Sequence, residues 1–429
     1  MKSKFIKSTI ILIIGGFITK ILGMVIKIVM TRLMGTEGIG VYMLLMPTFS
    51  LLIALAQLGF PVAISKLVAE DKKNNKNLVF SIIPISLILI ILIMVLLLFF
   101  ASTISTHLLH ESRTTLGIIC IGFVLPFISI SSILRGYFFG KERMIPHVIS
   151  NVTEDIVRLT VLIIGIPLFI AKGIEFAVAF IVISNILSEL TSILILFLFL
   201  PKSFKLSKKD FLPQKSNIKE VFNISIPTTG SRLIGNIGYF LEPIILTFVL
   251  LRVGYSNEFI VTEYGIVSGY VMPLLLLPSF FTMAISQALI PVISKAYANH
   301  HYNYAVSKIK QAIFVSLLIG IPVTILFLLF PATPLKLIYN TMEGISYLRV
   351  LAPICLLHYI QSPLTSSLQA MGKAKEAMNG TILGVFVRTF TLWIGCSLKI
   401  GMWGLVIATA CNITLVTLHQ AKCVRKAFK

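Results

Sequence analysis

The chain is 429 residues long, yet its composition excludes an ordinary soluble protein of that length. Hydrophobic residues make up 57% and charged residues only 12%, whereas soluble domains carry about 25% charged residues. Such a chain cannot cover itself with polar surface, so it must lie in lipid. Its charge is strongly positive, with 37 lysines and arginines against 16 acidic residues. These cations either bind nucleic acid or follow membrane topology.

Twelve apolar stretches are long enough to cross a bilayer, which takes about 20 residues of helix. The predicted spans are 8–30, 40–65, 78–101, 116–139, 147–170, 176–200, 223–250, 264–293, 309–331, 345–370, 378–398 and 401–421. The first is interpreted as a retained span because no small-residue cleavage site follows it. We therefore predict an all-α polytopic membrane protein. Its parts are a six-helix lobe at 1–200, a cytoplasmic amphipathic linker at 201–222 and a six-helix lobe at 223–429.

The basic residues alternate between the predicted connections. With the N-terminus inside, the inner segments hold 24 lysines and arginines and the outer loops hold seven. The positive-inside rule then predicts a cell-membrane protein with both termini in the cytoplasm. Most of the net charge is explained by topology, so no nucleic-acid partner is predicted.

The two halves of the chain resemble each other. A tyrosine-containing motif at 40–42 recurs at 268–270, and Arg158 on span five matches Arg388 on span eleven. Six spans is an even number, so both halves insert with the same orientation and form a parallel repeat. Folds of this kind place the substrate site between the halves. A chance likeness of apolar helices is the alternative.

Ten charged residues fall at membrane depth, where each costs at least about 2.5–3.5 kcal/mol on insertion scales. They are Lys20, Lys27, Arg135, Arg158, Arg232, Arg388, Glu154, Asp155, Glu189 and Glu242. On span one, Lys20 and Lys27 share a helical face with two glycines. We expect these lysines, together with Arg232 on span seven, to line a cationic substrate-binding cavity. Snorkelling to the interface is the alternative for Lys27.

The other charges have different expected roles. Glu154 and Arg158 are spaced i,i+4 and are expected to neutralise each other. Arg135 and Arg388 have no acidic residue four positions away, so we expect them to join the substrate-binding cavity cations, with contact to another helix as the alternative. Snorkelling is a further alternative for Arg135. The charges with expected structural or coupling roles are Glu154, Arg158, Glu189 and Glu242.

Motifs for catalysis or metal binding are absent from the sequence. There is no P-loop, no H-E-x-x-H and no G-x-S-x-G. The five cysteines are odd in number and widely spaced, which argues against a metal site or a disulfide framework. We therefore predict that the chain is not an enzyme and that it uses no cofactor or metal.

Several blocks of sequence resemble a known family. Thr-Lys-Ile-Leu-Gly at 19–23 and Gly-Thr-Glu-Gly-Ile-Gly-Val-Tyr at 35–42 are similar to the start of stage V sporulation protein B-like proteins. The runs at 134–140 and 145–158 are similar to that group's fourth and fifth spans. The group belongs to the polysaccharide-transport (oligosaccharide flippase) branch of the multidrug/oligosaccharidyl-lipid/polysaccharide exporter superfamily, and it is related to lipid II flippases. The resemblance implies two six-helix lobes, alternating access and export of an undecaprenyl-linked saccharide.

The resemblance also implies a role for one residue. Lys20 matches a cavity position that meets the pyrophosphate in the family. Lipid II flippases usually have arginine there, and lysine keeps the charge without the bidentate fork. Many members have fourteen spans, of which the last two form a groove for the lipid tail. Only twelve spans are predicted here, so a groove of that kind is not implied.

Together these features favour a flippase that moves a lipid-linked saccharide with a pyrophosphate head, such as a peptidoglycan precursor, from the inner to the outer leaflet. Its expected setting is cell-wall or spore-cortex assembly. The candidate partners are this undecaprenyl-pyrophosphate-type saccharide, membrane lipids and wall- or spore-synthesis enzymes. One alternative is a cation-coupled multidrug exporter that uses the acidic residues. Others are a non-transporting scaffold, which the short loops disfavour, and an intramembrane enzyme without positive support.

Overall fold

The computed structural model describes the backbone of residues 2–70, 75–201, 204, 212 and 215–428. Within these ranges the secondary structure is helical and contains no strand, which confirms the predicted all-α class. Half of the predicted linker at 201–222 lies outside the described residues, and its last part, 215–222, begins α7, so its amphipathic character stays a prediction. The chain forms two compact units, the first ending at Phe240 and the second beginning at Leu241.

The first unit contains the first six predicted spans and part of the seventh. Its helices are α1 (Lys2–Gln57), α2 (Phe60–Glu70), α3 (Asn75–Thr103), α4 (Thr115–Gly140), α5 (Met144–Ile170), α6 (Ile174–Leu198) and the first part of α7 (Lys215–Val253). A short π-helix at Ile104–Leu108 continues α3, and a 3₁₀ turn at Ser112–Thr114 precedes α4.

The second unit contains the end of α7 and the remaining spans. Its helices are α8 (Asn257–Gly265), α9 (Met272–Leu276), α10 (Ser279–Ala298), α11 (Tyr302–Leu329), α12 (Ala332–Tyr339), α13 (Ile345–Ala370), α14 (Ala374–Ser397) and α15 (Trp403–Ala427). The predicted twelve spans in two lobes are confirmed, with α12 as a short helix that the hydropathy pattern did not indicate.

The connection between the first two spans is a kink within α1. As the sequence predicts, the spans at 8–30 and 40–65 are separate helices, and they meet at Gly35, whose backbone is not helical (φ 69°, ψ −178°). Glycine adopts positive φ without the steric cost that other residues meet, so it bends the helix at this point. The second span then breaks at Leu58 and Gly59 before α2 begins.

The eighth span is assembled from several helical pieces. A π-helix at Ile266–Val271 joins α8 to α9, and a turn at Leu277 and Pro278 separates α9 from α10. Proline lacks the amide hydrogen that a continuous helix needs, which accounts for the break. The eighth span is therefore broken at Pro278.

Hydropathy alone marks nine segments of the described chain as long and apolar enough to cross a membrane, and the first of them covers two spans. The remaining spans, α5 and α13, are not among these segments, and α5 holds three charged residues within two turns. The protein is thus a multi-pass membrane protein in which α5 is a polar exception. Because α5 packs between α1 and α6, and α4 also packs against α6, its charges are held inside the first unit.

Each unit has its own apolar core. In the first unit the core includes Phe60, Phe80 and Phe138, which are fully shielded from solvent. In the second unit it is built around Ile293 and Leu368. These cores fix the helices so that the charged side chains of neighbouring helices can meet.

Candidate functional site

The first candidate surface is the open face of α1 around Lys20. Lys20, Gly16 and Gly23 are exposed, and a Cβ added at either glycine would meet nothing within 4 Å. We call these three residues the Lys20 face. On the other side of the helix, Gly15 packs directly against Val148 of α5. The helix therefore docks through Gly15 and leaves the Lys20 face uncovered.

The ammonium of Lys20 lacks a counter-charge. No ion pair or hydrogen bond joins it to another residue in the part of the chain that the structure describes. Lys27, two turns further along α1, is half-buried, and its carbonyl accepts a 2.6 Å hydrogen bond from Thr31 Oγ1. The two lysines that the spacing grouped together thus have different surroundings, and Lys20 is the one available to a ligand.

Arg232 is a second exposed cation of the first unit. One of its guanidinium nitrogens, Nη1, donates a 3.0 Å hydrogen bond to Oε1 of Gln57, the last residue of α1. The neighbouring Gly230 and Gly235 of α7 are also open, with nothing within 4 Å of an added Cβ. Because Gln57 is neutral, this contact orients the guanidinium without neutralising it. Gln57 was not expected at this position from the sequence, because the end of α1 at this residue is seen only in the structure.

A group of buried charges lies where α4, α5 and α6 pack together. We call Arg135, Glu154, Asp155, Arg158 and Glu189 the buried charge network. Glu154 is at its centre, with Oε2 2.6 Å from Arg135 Nη2 and Oε1 2.6 Å from Arg158 Nη2. The predicted i,i+4 pair is therefore present, and a second arginine from another helix joins it.

The other two carboxylates of the network are held less closely. Glu189 Oε2 lies 3.7 Å from Arg135 Nη2, and Asp155 Oδ1 lies 3.6 Å from Arg158 Nη1. Arg135 Nη2 also donates a 2.9 Å hydrogen bond to Ser192 on α6. One guanidinium thus links three helices of the first unit.

The second unit has a simpler arrangement at the matching arginine. Arg388 Nη2 of α14 lies 2.5 Å from Glu242 Oε2 of α7, and the Tyr264 hydroxyl donates a 3.3 Å hydrogen bond to Glu242 Oε1. Glu242 is buried. For Arg135 and Arg388, the sequence left two alternatives, an anion or another helix. The structure shows both arginines on carboxylates of other helices.

These contacts divide five of the six intramembrane cations by their chemistry. Arg135, Arg158 and Arg388 are bound to carboxylates, whereas Lys20 and Arg232 have no acidic partner among the described residues. Ammonium and guanidinium groups are hydrogen-bond donors that suit phosphate oxygens. Each of these two exposed cations therefore has the chemistry to bind an anion.

The helical arrangement defines the class of protein. An inward-facing structure of a multidrug resistance MATE family transporter of the MOP superfamily matches with a TM-score of 0.76 at 19% identity, covering 96% of this chain and 94% of that one. This chain therefore has the same fold as that transporter. The family model for polysaccharide biosynthesis proteins matches residues 5–297, and the MatE model matches residues 234–394. The chain belongs to the polysaccharide biosynthesis protein family.

Two curated relatives agree with the resemblance drawn from the sequence blocks. Stage V sporulation protein B of Bacillus subtilis (strain 168) is 38% identical, over 99% of this chain and 84% of that protein. The lipid II flippase MurJ of the same organism is 22% identical, over 90% of this chain and 76% of that protein. The predicted membership of the stage V sporulation protein B-like group is confirmed.

Proposed function

We propose that the protein is a flippase that carries a lipid-linked saccharide with a pyrophosphate head from the inner to the outer leaflet by alternating access. The observation that carries this proposal is the exposure of Lys20 and Arg232, which lie at predicted membrane depth and have no acidic partner among the described residues. A cation in that position is costly unless an anion joins it. A pyrophosphate supplies the missing negative charge. Membership of a polysaccharide biosynthesis family supports a saccharide as the group attached to it.

The membrane potential favours the proposed direction. With the cell interior negative, each elementary negative charge that moves outward gains about 2.3 kcal/mol per 100 mV. The direction presumes that both termini are cytoplasmic, as the distribution of basic residues predicts. The potential then contributes to driving a pyrophosphate-headed lipid outward.

The two cations have different proposed tasks. Lys20 provides a compact, rotatable charge, while Arg232, oriented by Gln57, provides a planar fork that can hold two phosphate oxygens. Lys27 is assigned a secondary role at the edge of the site because it is half-buried. Arg135 and Arg388 are assigned to structure rather than to substrate, since each already binds a carboxylate.

The biological setting is proposed from the relatives. One of them is named a sporulation protein and another a lipid II flippase. We infer that the substrate is of the undecaprenyl-pyrophosphate type and that it serves cell-wall or spore-cortex assembly. Wall- or spore-synthesis enzymes that make or use this lipid are the proposed partners.

The rival, a cation-coupled exporter for cationic drugs, needs exposed carboxylates that can bind the drug itself. Here Glu154, Glu189 and Glu242 are buried and Asp155 is half-buried. The open surface of the first unit is cationic and repels such drugs. We therefore infer a transporter for anionic lipids, acting neither as an enzyme nor as a scaffold.

Complementation of a strain that lacks its own flippase tests this proposal. Lys20→Ala and Arg232→Ala should abolish growth rescue, while Lys20→Arg should retain part of it because it keeps the charge. Lys172→Ala is the matched control, since Lys172 is an exposed cation outside the spans. Equal rescue by wild type and both alanine variants, at equal membrane levels, would overturn the assignment.

A further inference from the structure

The buried charge network has an unequal number of positive and negative groups. It contains two arginines and three carboxyl groups, so with every group ionised it carries one surplus negative charge. A surplus charge in a low-dielectric interior is costly, and a carboxyl group avoids that cost by taking up a proton.

Glu189 is the carboxyl group that is least well compensated. It is only 7% exposed, and its Oε2 forms no hydrogen bond within the described part of the chain. Its contact with Arg135, at 3.7 Å, is longer than a hydrogen bond. Glu154, by contrast, has a short contact on each oxygen. Asp155 is also held loosely, but its side chain is 15% exposed against 9% for Glu189.

Two further titratable groups face the network from the packed helices. The phenol of Tyr42 on α1 lies near Arg158, and the imidazole of His147 on α5 lies near Arg135 and Glu154. A neutral phenol and a neutral imidazole leave the surplus unchanged. His147 would balance the surplus negative charge only as a cation beside an arginine. The variant His147→Gln tests whether it does so.

We propose that the buried charge network is a proton-binding site and that Glu189 carries the exchangeable proton. The proton leaves to water and restores the Glu189 carboxylate. That carboxylate then competes with Glu154 for the same nitrogen, Arg135 Nη2, which already lies within 4 Å of both. Proton release draws Arg135 of α4 from α5 toward α6, and proton uptake returns it to α5.

This exchange makes transport sensitive to protons, a step that rests on the proposed flippase function. The helices α4, α5 and α6 pack against one another in the first unit, so a change in the partner of Arg135 changes the contact that holds them. The second unit supplies a contrast, because one arginine faces one carboxylate there and no surplus charge requires a proton.

Infrared spectroscopy of the full-length protein in lipid nanodiscs tests the site without any substrate. A protonated carboxyl group gives a C=O stretching band apart from the carboxylate bands. The wild type should show this band at neutral pH and lose it as the pH rises. Glu189→Gln should lack the band, and Glu189→Asp should shift its position and its midpoint. Glu175→Gln, at the start of the same helix, and His147→Gln should leave the band as it is.

Other variants keep the test decisive if Glu189→Gln folds poorly. Glu154→Gln leaves two arginines and two carboxyl groups, so it should also lose the band. A wild type without a titrating band would overturn the proton site. A band that keeps its position in Glu189→Asp would overturn its assignment to Glu189.

The link to transport needs a separate measurement in proteoliposomes. Flipping of a labelled pyrophosphate lipid by the wild type should change when a pH gradient is imposed, and flipping by Glu189→Gln should not. Wild-type flipping that ignores the gradient would overturn the link while leaving the flippase function intact. No flipping by the wild type would instead contradict the proposed function.

Discussion

The two units differ in the surroundings of their matched arginines, Arg158 and Arg388. In the first unit, Arg158 shares Glu154 with Arg135 in a network of five charged groups. In the second, Arg388 pairs with Glu242, and the Tyr264 hydroxyl donates a hydrogen bond to the same carboxylate. A repeated sequence position thus serves an adaptable network in one unit and a fixed pair in the other. The network can lose or exchange a partner, whereas the pair cannot.

The largest effect is expected where a charge has a single partner. Glu242→Gln leaves the half-buried Arg388 guanidinium without its buried carboxylate partner. Breaking a fully buried ion pair costs about 3–5 kcal/mol, and the partial exposure of Arg388 makes this loss somewhat smaller. We expect low yield and a strongly lowered melting temperature of the detergent-solubilised protein. The double variant Glu242→Leu/Arg388→Met should recover most of the stability. A singly substituted protein as stable as wild type would contradict the fixed-pair description.

A smaller loss is expected at the centre of the network. Glu154→Gln removes the shared carboxylate, but Glu189 can ionise and bind Arg135 in its place. Loss of a hydrogen bond to a charged group costs about 1.5–3 kcal/mol, and the new pair offsets part of this. The melting temperature should therefore fall less than in Glu242→Gln. The reverse order of the two variants would show that the network does not adapt.

Helix packing gives a matched pair of glycine substitutions, one in each unit. A Cβ at Gly165 would meet the ring of Phe180, and one at Gly384 would meet Val416. Overpacking of this kind costs about 1–3 kcal/mol, so Gly165→Ala and Gly384→Ala should both lower the melting temperature. Gly23→Ala is the control, because nothing lies within 4 Å of its added Cβ. A destabilised Gly23→Ala would mean that the Lys20 face is covered in the folded protein.

The smallest effect is expected at the edge of the network. Asp155 lies 3.6 Å from Arg158 on the same helix, and its side chain is partly exposed. Such loose pairs are worth about 0–1 kcal/mol, so Asp155→Asn should change the melting temperature little. It also removes the surplus negative charge, so it should abolish the infrared band of the protonated carboxyl group. A large loss of stability with the band retained would contradict the charge balance of the network.

Much of the fold could be predicted because hydrophobic length and the spacing of charges are local features. The twelve spans follow from apolar runs, and the Glu154–Arg158 pair follows from its i,i+4 spacing. The sharpness of the connection between the first two spans was not predictable, since it narrows to one non-helical residue, Gly35, between the two helices.

The partners of the isolated charges could not be predicted, because they depend on which helices pack together. Arg135 meets Glu154 across 19 positions of the sequence, and Arg388 meets Glu242 from another helix. The hydrogen bond from Arg232 to Gln57 spans 175 positions. For Lys20 the sequence was more informative, because its spacing from Gly16 and Gly23 puts the three residues on one helical face. The glycines suggested close approach, but the structure shows that this face is open.

The most direct test of the account is a leaflet-accessibility measurement with the purified protein. Labelled lipid II is placed in the vesicle leaflet that faces the protein's cytoplasmic side, and its appearance in the opposite leaflet is followed with and without the protein. Wild type should accelerate the transfer, and Lys20→Gln/Arg232→Gln should return it to the protein-free rate while remaining folded and inserted. Transfer by this double variant at the wild-type rate would contradict the claim that the two unpaired cations bind the pyrophosphate.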